Sequence, residues 1–210
     1  MTEIRAICFD AFGTLVEIAD KRRPFQKLLS GMGQGSRAAE LLTAALDMRS
    51  LTRNLAQDLY EDHLSQLEKD LQAECASVRL RPEIERIWGS LRQIHLRIGV
   101  CSNLALPYGF PLLSALPDAP DAIVFSYEVG LIKPDPAIFH LVCSRLELQP
   151  DQILFVGDTQ LADIEGPRSI GMPATLISKF ETYFAPQAGV VGSLPDDLIA
   201  AIEKSAGART

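Results

Sequence analysis

The sequence predicts an α/β fold: a doubly wound parallel sheet with an α-helical cap domain inserted into it. Three observations carry that prediction. From about residue 86 onward, short apolar runs alternate with segments of helical period, the signature of strand–helix–strand units around a parallel sheet. Successive runs end in polar residues, Asp10, Ser102-Asn103 and Gly157-Asp158. A parallel sheet gathers such ends at one edge, where ligands of open α/β sheets sit. Finally, residues 16–85 read as helix throughout and fall between the first apolar run and the second. The expected division is a core of residues 1–15 and 86–210 with a helical cap at 16–85.

The elements follow in order. Ile4 to Phe9 is an apolar run that reads as a buried strand. It ends in Asp10, and Gly13-Thr14 marks a sharp turn. Phe25, Leu28 and Leu29 open the helical stretch. Gly31-Met32-Gly33-Gln34-Gly35 reads as a connector, and Ser36 as the cap of a helix with Ala38, Leu41, Leu42, Ala45 and Leu46 on its apolar face. Leu51, Leu55, Leu59, Leu67 and Leu71 recur along one long helix, whose charges Asp58, Glu61, Asp62, Glu68, Lys69 and Asp70 read as a solvated face. Pro82 suits the first turn of the next helix, with Ile84, Ile87, Trp88 and Leu91 as its buried stripe. Strands are then expected at Leu96–Cys101, Ala122–Phe125, Ile153–Val156 and Ala174–Ser178, with helices at Pro136–Glu147 and Gln160–Ile170 between them. The last residues, Gly207 to Thr210, read as a frayed end.

Composition narrows the function. A chain of 210 residues with 47% hydrophobic and 22% charged residues can bury a core and is an ordinary globular protein. Its net charge of -7 argues against a nucleic-acid or anionic-membrane partner, while a bound cation could still draw in a phosphate. No segment resembles a signal peptide or a membrane span. Cys8, Cys75, Cys101 and Cys143 lack Cys-x-x-Cys spacing; three lie in apolar segments and read as buried reduced thiols. Together these features point to the cytoplasm; the chain is expected to be a monomer or a homodimer, and none of these features chooses between the two. His63, His95 and His140 have no metal-ligand spacing, and no Gly-x-Ser-x-Gly elbow is present.

Four motifs carry chemistry. Asp10-Ala11-Phe12-Gly13-Thr14-Leu15 follows the first strand. Ser102-Asn103 follows the second, where a hydroxyl and a helix N-terminus suit an anion. Lys133-Pro134-Asp135-Pro136 precedes a helix bearing Phe139. Gly157-Asp158 is followed five residues on by Asp163. In content and order these motifs resemble those of the haloacid dehalogenase-like (HAD) hydrolase superfamily, helical-cap class, with its Rossmann-like core. The resemblance implies that Asp10 is a nucleophile and Lys133 neutralises it and the substrate. It implies that Ser102, Asn103 and Thr14 bind substrate. It also implies that Asp10, the Phe12 carbonyl, Asp158 and Asp163 hold Mg²⁺, a hard cation that takes oxygen ligands and a phosphate.

Phe12 departs from the pattern of the family's phosphatases, which carry a second Asp there as general acid/base. Haloacid dehalogenases place an aromatic residue at that position, lack the metal, and hold halide with a cap arginine, for which Arg49 and Arg53 are the candidates. The reading that follows is a Mg²⁺-dependent phosphatase acting on a small phosphorylated metabolite through an aspartyl-phosphate. The alternatives are a metal-free 2-haloacid dehalogenase with the same nucleophile, or a low-activity binding protein.

Overall fold

The hydrophobic pattern of the first strand already sorts its neighbours. Along β1 (Ala6–Phe9), Ile7 and Phe9 point to one side of the sheet and Ala6 and Cys8 to the other, the period-2 alternation of a strand. All four residues are buried, as expected of a strand covered on both faces. The computed structural model describes residues 3–30, 41–54 and 61–184. The Gly31–Gly35 connector, the Ser36 cap, Ala38, Leu55, Asp58, Leu59 and the 207–210 end lie outside them.

β1 lies between β4 (Arg97–Ser102) and β6 (Ile153–Gly157) in a sheet completed by β5 (Ala122–Phe125) and β7 (Ala174–Leu176). The order is β5-β4-β1-β6-β7, and every pairing is parallel. This is the doubly wound sheet expected from the sequence. Over the Ile7/Phe9 face lies the helix Pro82–Gln93, with Pro82 in its first turn and Ile84, Ile87, Trp88 and Leu91 buried. Trp88 stacks on Phe9 at 6.4 Å, and Phe180 from the helix Ile177–Tyr183 meets Phe9 edge-on at 5.7 Å. The other face is covered by the helix Pro136–Leu146, whose Phe139 packs edge-on against Phe155 at 5.5 Å.

A third apolar cluster joins Phe25 and Leu28 of the helix Pro24–Leu29, Met48 and Leu51 of the helix Met48–Asn54, and Leu64, Leu67 and Leu71 of the helix Glu61–Ala76. Ala105 and Tyr108, just past β4, pack into the same cluster. Two readings of this region need correction. The stretch 16–85 is not all helical: β2 (Val16–Ile18) pairs antiparallel with β3 (Val78–Leu80), and Glu17 faces Arg79 at 2.9 Å. Three-residue strands are too short to print a period. Nor is the charge run wholly solvated. Asp70 is buried, held by Lys27 at 2.7 Å, and on the same helix Glu74 accepts the backbone N–H groups of Arg22 and Arg23.

The end of the sheet also differs in detail. Ile177 and Ser178 belong to a helix rather than to the last strand. The segment after β6 begins as a π-helix, Gln160–Glu165, before a short α-helical turn at Gly166–Arg168.

Candidate active site

Register fixes where the site forms. Phe9 lies opposite Val100 on one side and Val156 on the other. The residues just beyond, Asp10, Ser102 and Asp158, therefore share one edge. The Asp10 N–H donates to the Val156 carbonyl at 2.9 Å, so Asp10 stays in line with the sheet. The chain then turns tightly: the Ala11 carbonyl accepts the N–H groups of Thr14, Leu15 and Val16 at 2.7–3.2 Å. Gly13 makes this turn with φ of 89°, and a Cβ there would collide with the Asp158 carboxylate, so only glycine fits. Arg81 braces the turn, donating to the carbonyls of Gly13 (3.0 Å) and Thr14 (2.9 Å) and pairing with Glu181 at 2.8 Å.

The centre of the site is a buried charge cluster. Lys133 Nζ lies 2.6 Å from Asp10 Oδ1 and 2.6 Å from Asp163 Oδ1, and Ser102 Oγ donates to Asp10 Oδ1 at 3.1 Å. The ammonium also stands over the Phe155 ring at 5.2 Å. Asp163 uses its other oxygen to accept the N–H groups of Asp158 (3.1 Å) and Thr159 (2.9 Å). The π-helical turn carries Asp163 back to the loop it leaves. π-Turns recur at functional sites for this kind of re-aiming. Gly157 permits the approach, since a Cβ there would collide with Asp163. Asn103 bonds at both ends to the Lys133 peptide, Oδ1 accepting its N–H at 2.8 Å and Nδ2 donating to its carbonyl at 2.9 Å.

Burial raises the Asp10 pKa; the Lys133 charge pulls it down and Asp163 pushes it up, with a net upward shift. For Lys133 burial opposes the charge, yet Asp10, Cys101 and Asp163 hold the ammonium well above its ordinary pKa. The neighbouring thiols do not compete as nucleophiles. Burial pushes Cys101 up to about 12 and raises Cys8 well above its usual value, and the thiolate is the reactive form.

Asp10, Asp158 and Asp163 each offer a carboxylate oxygen within 4.8 Å of the others. Three carboxylates against the single ammonium of Lys133 leave two negative charges uncompensated. Such a cluster repels a phosphate dianion, and a hard divalent cation with oxygen ligands would reverse the local field. The donor set thus fits Mg²⁺. Asp158 is exposed, whereas both Asp163 oxygens are already engaged.

The structure brings Asp10, Ser102, Lys133, Asp158 and Asp163 together, as the sequence leads one to expect. Thr14 is fully buried, and its hydroxyl has no partner among the described residues. The Phe12 ring is half-buried and meets Tyr108 edge-on at 5.6 Å. Arg49 is committed to Glu61 at 2.6 Å and Glu68 at 2.9 Å. Sequence reasoning missed Arg81, which only precedes the helix-starting Pro82, and Tyr108, which no motif marks.

The family model described as haloacid dehalogenase-like hydrolase matches residues 4–171. The chain belongs to that family. Among curated HAD relatives, a phosphoglycolate phosphatase from Nitrosospira multiformis is 30% identical over 189 residues, covering 80% of each chain. Phosphoglycolate phosphatase from Salmonella typhimurium is 34% identical over 97 residues, 45% of this chain, and the match spans 38% of that protein's length. Two solved structures share the fold. A HAD family enzyme from Bacteroides thetaiotaomicron, in complex with magnesium and inorganic phosphate, is 15% identical with a TM-score of 0.59, covering 90% of this chain and 98% of that one. A dehalogenase with an intermediate complex is 20% identical with a TM-score of 0.57, covering 83% and 85%. The fold is thus shared with an enzyme that binds magnesium and phosphate and with one named a dehalogenase, so it does not by itself choose between them.

Proposed function

We propose that this HAD protein is a Mg²⁺-dependent phosphatase that works through an aspartyl-phosphate on Asp10. The carrying observation is the charge cluster. Asp10 is held by Lys133 and Ser102 within reach of two further carboxylates, an arrangement that needs a cation and suits a phosphoryl group. Asp10, the Phe12 carbonyl and Asp158 would hold Mg²⁺, with Asp163 fixing the loop that carries Asp158. When bound, the cation neutralises the phosphoryl oxygens and lets the anionic substrate approach.

Asp10 attacks phosphorus; a carboxylate–phosphorus bond forms, and the bond to the leaving oxygen breaks with its electron pair. Lys133 and the Ser102 hydroxyl orient the carboxylate and offset charge in the transition state. Water then attacks the phosphorus, the bond between phosphorus and the Asp10 oxygen breaks with its electron pair returning to the carboxylate, and inorganic phosphate is released with the water's proton going to solvent. Asn103 acts as a positioning residue for Lys133. Thr14, being buried, supports the turn rather than touching substrate. The buried, protonated thiols fit a reducing compartment, and no helix of the described residues is long and apolar enough to cross a membrane. The site of action proposed is the cytoplasm.

One observation favours a second reading: an aromatic side chain stands at position 12, as in dehalogenases. Against it, two acids beyond the nucleophile are retained, and Arg49, a candidate halide ligand, is tied into ion pairs. A hydrolysis screen of phosphate esters, acyl phosphates and 2-haloacids, each with Mg²⁺ and with EDTA, separates them. Mg²⁺-dependent release of phosphate that vanishes in Asp10→Asn is the expected result. Halide release in EDTA would hand the site to the second reading.

A further inference from the structure

Two cavities open on either side of Phe12 and Ile18, which form a wall of both. The first, about 420 Å³, also takes in Glu17, Lys21, Arg81 and Asp158. It is polar, but not a receptor for a second anion. Arg81 is bonded to two carbonyls and paired with Glu181. Lys21 shares the space with two carboxylates, Glu17 and Asp158. The second cavity, about 310 Å³, lies against Asn103, next to the Ser102 that touches Asp10, and is walled by Phe12, Phe25, Leu41, Leu42 and Tyr108. Its two polar side chains are already engaged. The Asn103 amide is bonded at both ends to Lys133, and the Tyr108 hydroxyl faces the buried Glu74.

We infer that the apolar cavity receives the leaving group, and that this group is an uncharged, apolar body on a weakly basic oxygen, as in aryl phosphates. The inference rests on the phosphatase reading above and names the substrate class for that site. Two features point the same way. Among the described residues the wall offers no free side-chain hydrogen-bonding group, and such a wall penalises a hydroxylated or carboxylated leaving group, which would lose its water and gain no partner. An apolar pocket of a few hundred Å³ suits one or two rings. Phe12 meanwhile supplies no proton, so the breaking bond must release an oxygen that leaves unprotonated. A phenol, with a pKa of about 10, does so far more readily than an alcohol, whose hydroxyl is nearly as weak an acid as water. In the step, the Asp10 oxygen bonds to phosphorus and the aryl oxygen departs as phenolate with the bonding pair, taking a proton later from solvent.

The test compares 4-tert-butylphenyl phosphate with 4-carboxyphenyl phosphate, whose phenols leave with similar ease but differ in charge and apolar bulk. Acetyl phosphate serves as the reference. With Mg²⁺ at saturation, kcat/KM for the tert-butyl substrate should exceed that for the carboxylate at least ~10-fold, the scale of burying one branched side chain. In Leu42→Gln, which puts an amide into a half-buried wall position, that ratio should fall several-fold. Equal rates in the wild type would overturn the proposal. So would a preference for the carboxylate that disappears in Lys21→Met, which would move the leaving group to the polar cavity. Turnover of acetyl phosphate with neither aryl ester used would also overturn it, leaving the phosphatase reading intact. No phosphate release from any of the three would remove both.

Discussion

The floor of the site and the wall above it are built to opposite rules. On the floor, Asp10 and Ser102 come from the ends of two sheet strands, Lys133 from a loop and Asp163 from the π-helical turn after β6, and their polar atoms interlock. The wall, made of Phe12, Phe25, Leu42 and Tyr108, is packed by shape and offers no free charge. The fold that gathers the floor is shared by a protein named a phosphoglycolate phosphatase and one named a dehalogenase. The wall selects what is carried beside the reacting bond. Chemistry and choice of substrate are therefore separable here, and mutations should sort accordingly.

The largest effect should come from breaking the floor. Lys133→Met leaves the buried carboxylates Asp10 and Asp163 facing each other without their cation. Removing one partner of a buried pair costs roughly 3–5 kcal/mol, and turnover should be lost with it. The pH dependence gives the sign. Asp10 already has a raised pKa because it is buried, with Lys133 pulling the other way; without Lys133 the rise is greater. The folded state then binds more protons than the unfolded state above the ordinary carboxylate pKa, so stability falls as pH increases through the folded value. Thermal melts from pH 4 to pH 8 should show the variant closest to wild type at the acid end. A penalty that grew toward acid would mean that the lysine is not compensating these carboxylates.

An intermediate effect is expected where floor meets wall. With Phe12 in place of an acid, formation of the aspartyl-phosphate from an acyl or aryl phosphate needs no proton, but its hydrolysis lacks a base. Phosphoenzyme should accumulate and give a burst of product in the first turnover. Phe12→Asp supplies both missing transfers. It should abolish the burst and raise the ratio of alkyl to acyl phosphate kcat/KM, which reports formation of the phosphoenzyme, by about 10²-fold, the low end for a positioned acid, because the wall is packed around a ring against Tyr108. Rapid-quench measurements on both proteins test this. No burst in wild type, with an unchanged ratio in a folded variant, would mean that another group moves the proton.

The same division explains what the sequence revealed. The floor is legible because each part sits at a strand end or in a short motif. Asp135 caps its helix by accepting the Ala137 N–H at 2.9 Å, and Pro136 occupies the first turn, as the Lys-Pro-Asp-Pro run suggests. The alternation of strands and helices after residue 86 likewise gives the parallel sheet, but no motif encodes its strand order β5-β4-β1-β6-β7. The wall is not legible. Phe12, Phe25 and Tyr108 meet across long separations in the chain with no period to announce it. Arg81 bonds through carbonyls, which carry no sequence signal. Asp70 looks like any other helix-surface acid until Lys27 arrives from another element.

The smallest effect should come from a residue that belongs to the floor but not to the reaction. Asn103 reads in the sequence as a substrate ligand, and its amide is instead shared between the N–H and the carbonyl of Lys133. That pair of opposite bonds also fixes which end of the amide is nitrogen. If Asn103 held substrate, Asn103→Ala would raise KM and leave kcat alone. If it positions the lysine, the ammonium loses registry with Asp10 in the transition state, so kcat should drop while KM changes little. Each of the two bonds is worth about 1 kcal/mol net, which puts the loss at about 30-fold. Asn103→Asp sharpens the distinction: it keeps an acceptor for the Lys133 N–H but turns a second acceptor toward the carbonyl, so it should not restore kcat. A rise in KM in either variant, with kcat preserved, would return Asn103 to the substrate and remove the amide clamp from the floor.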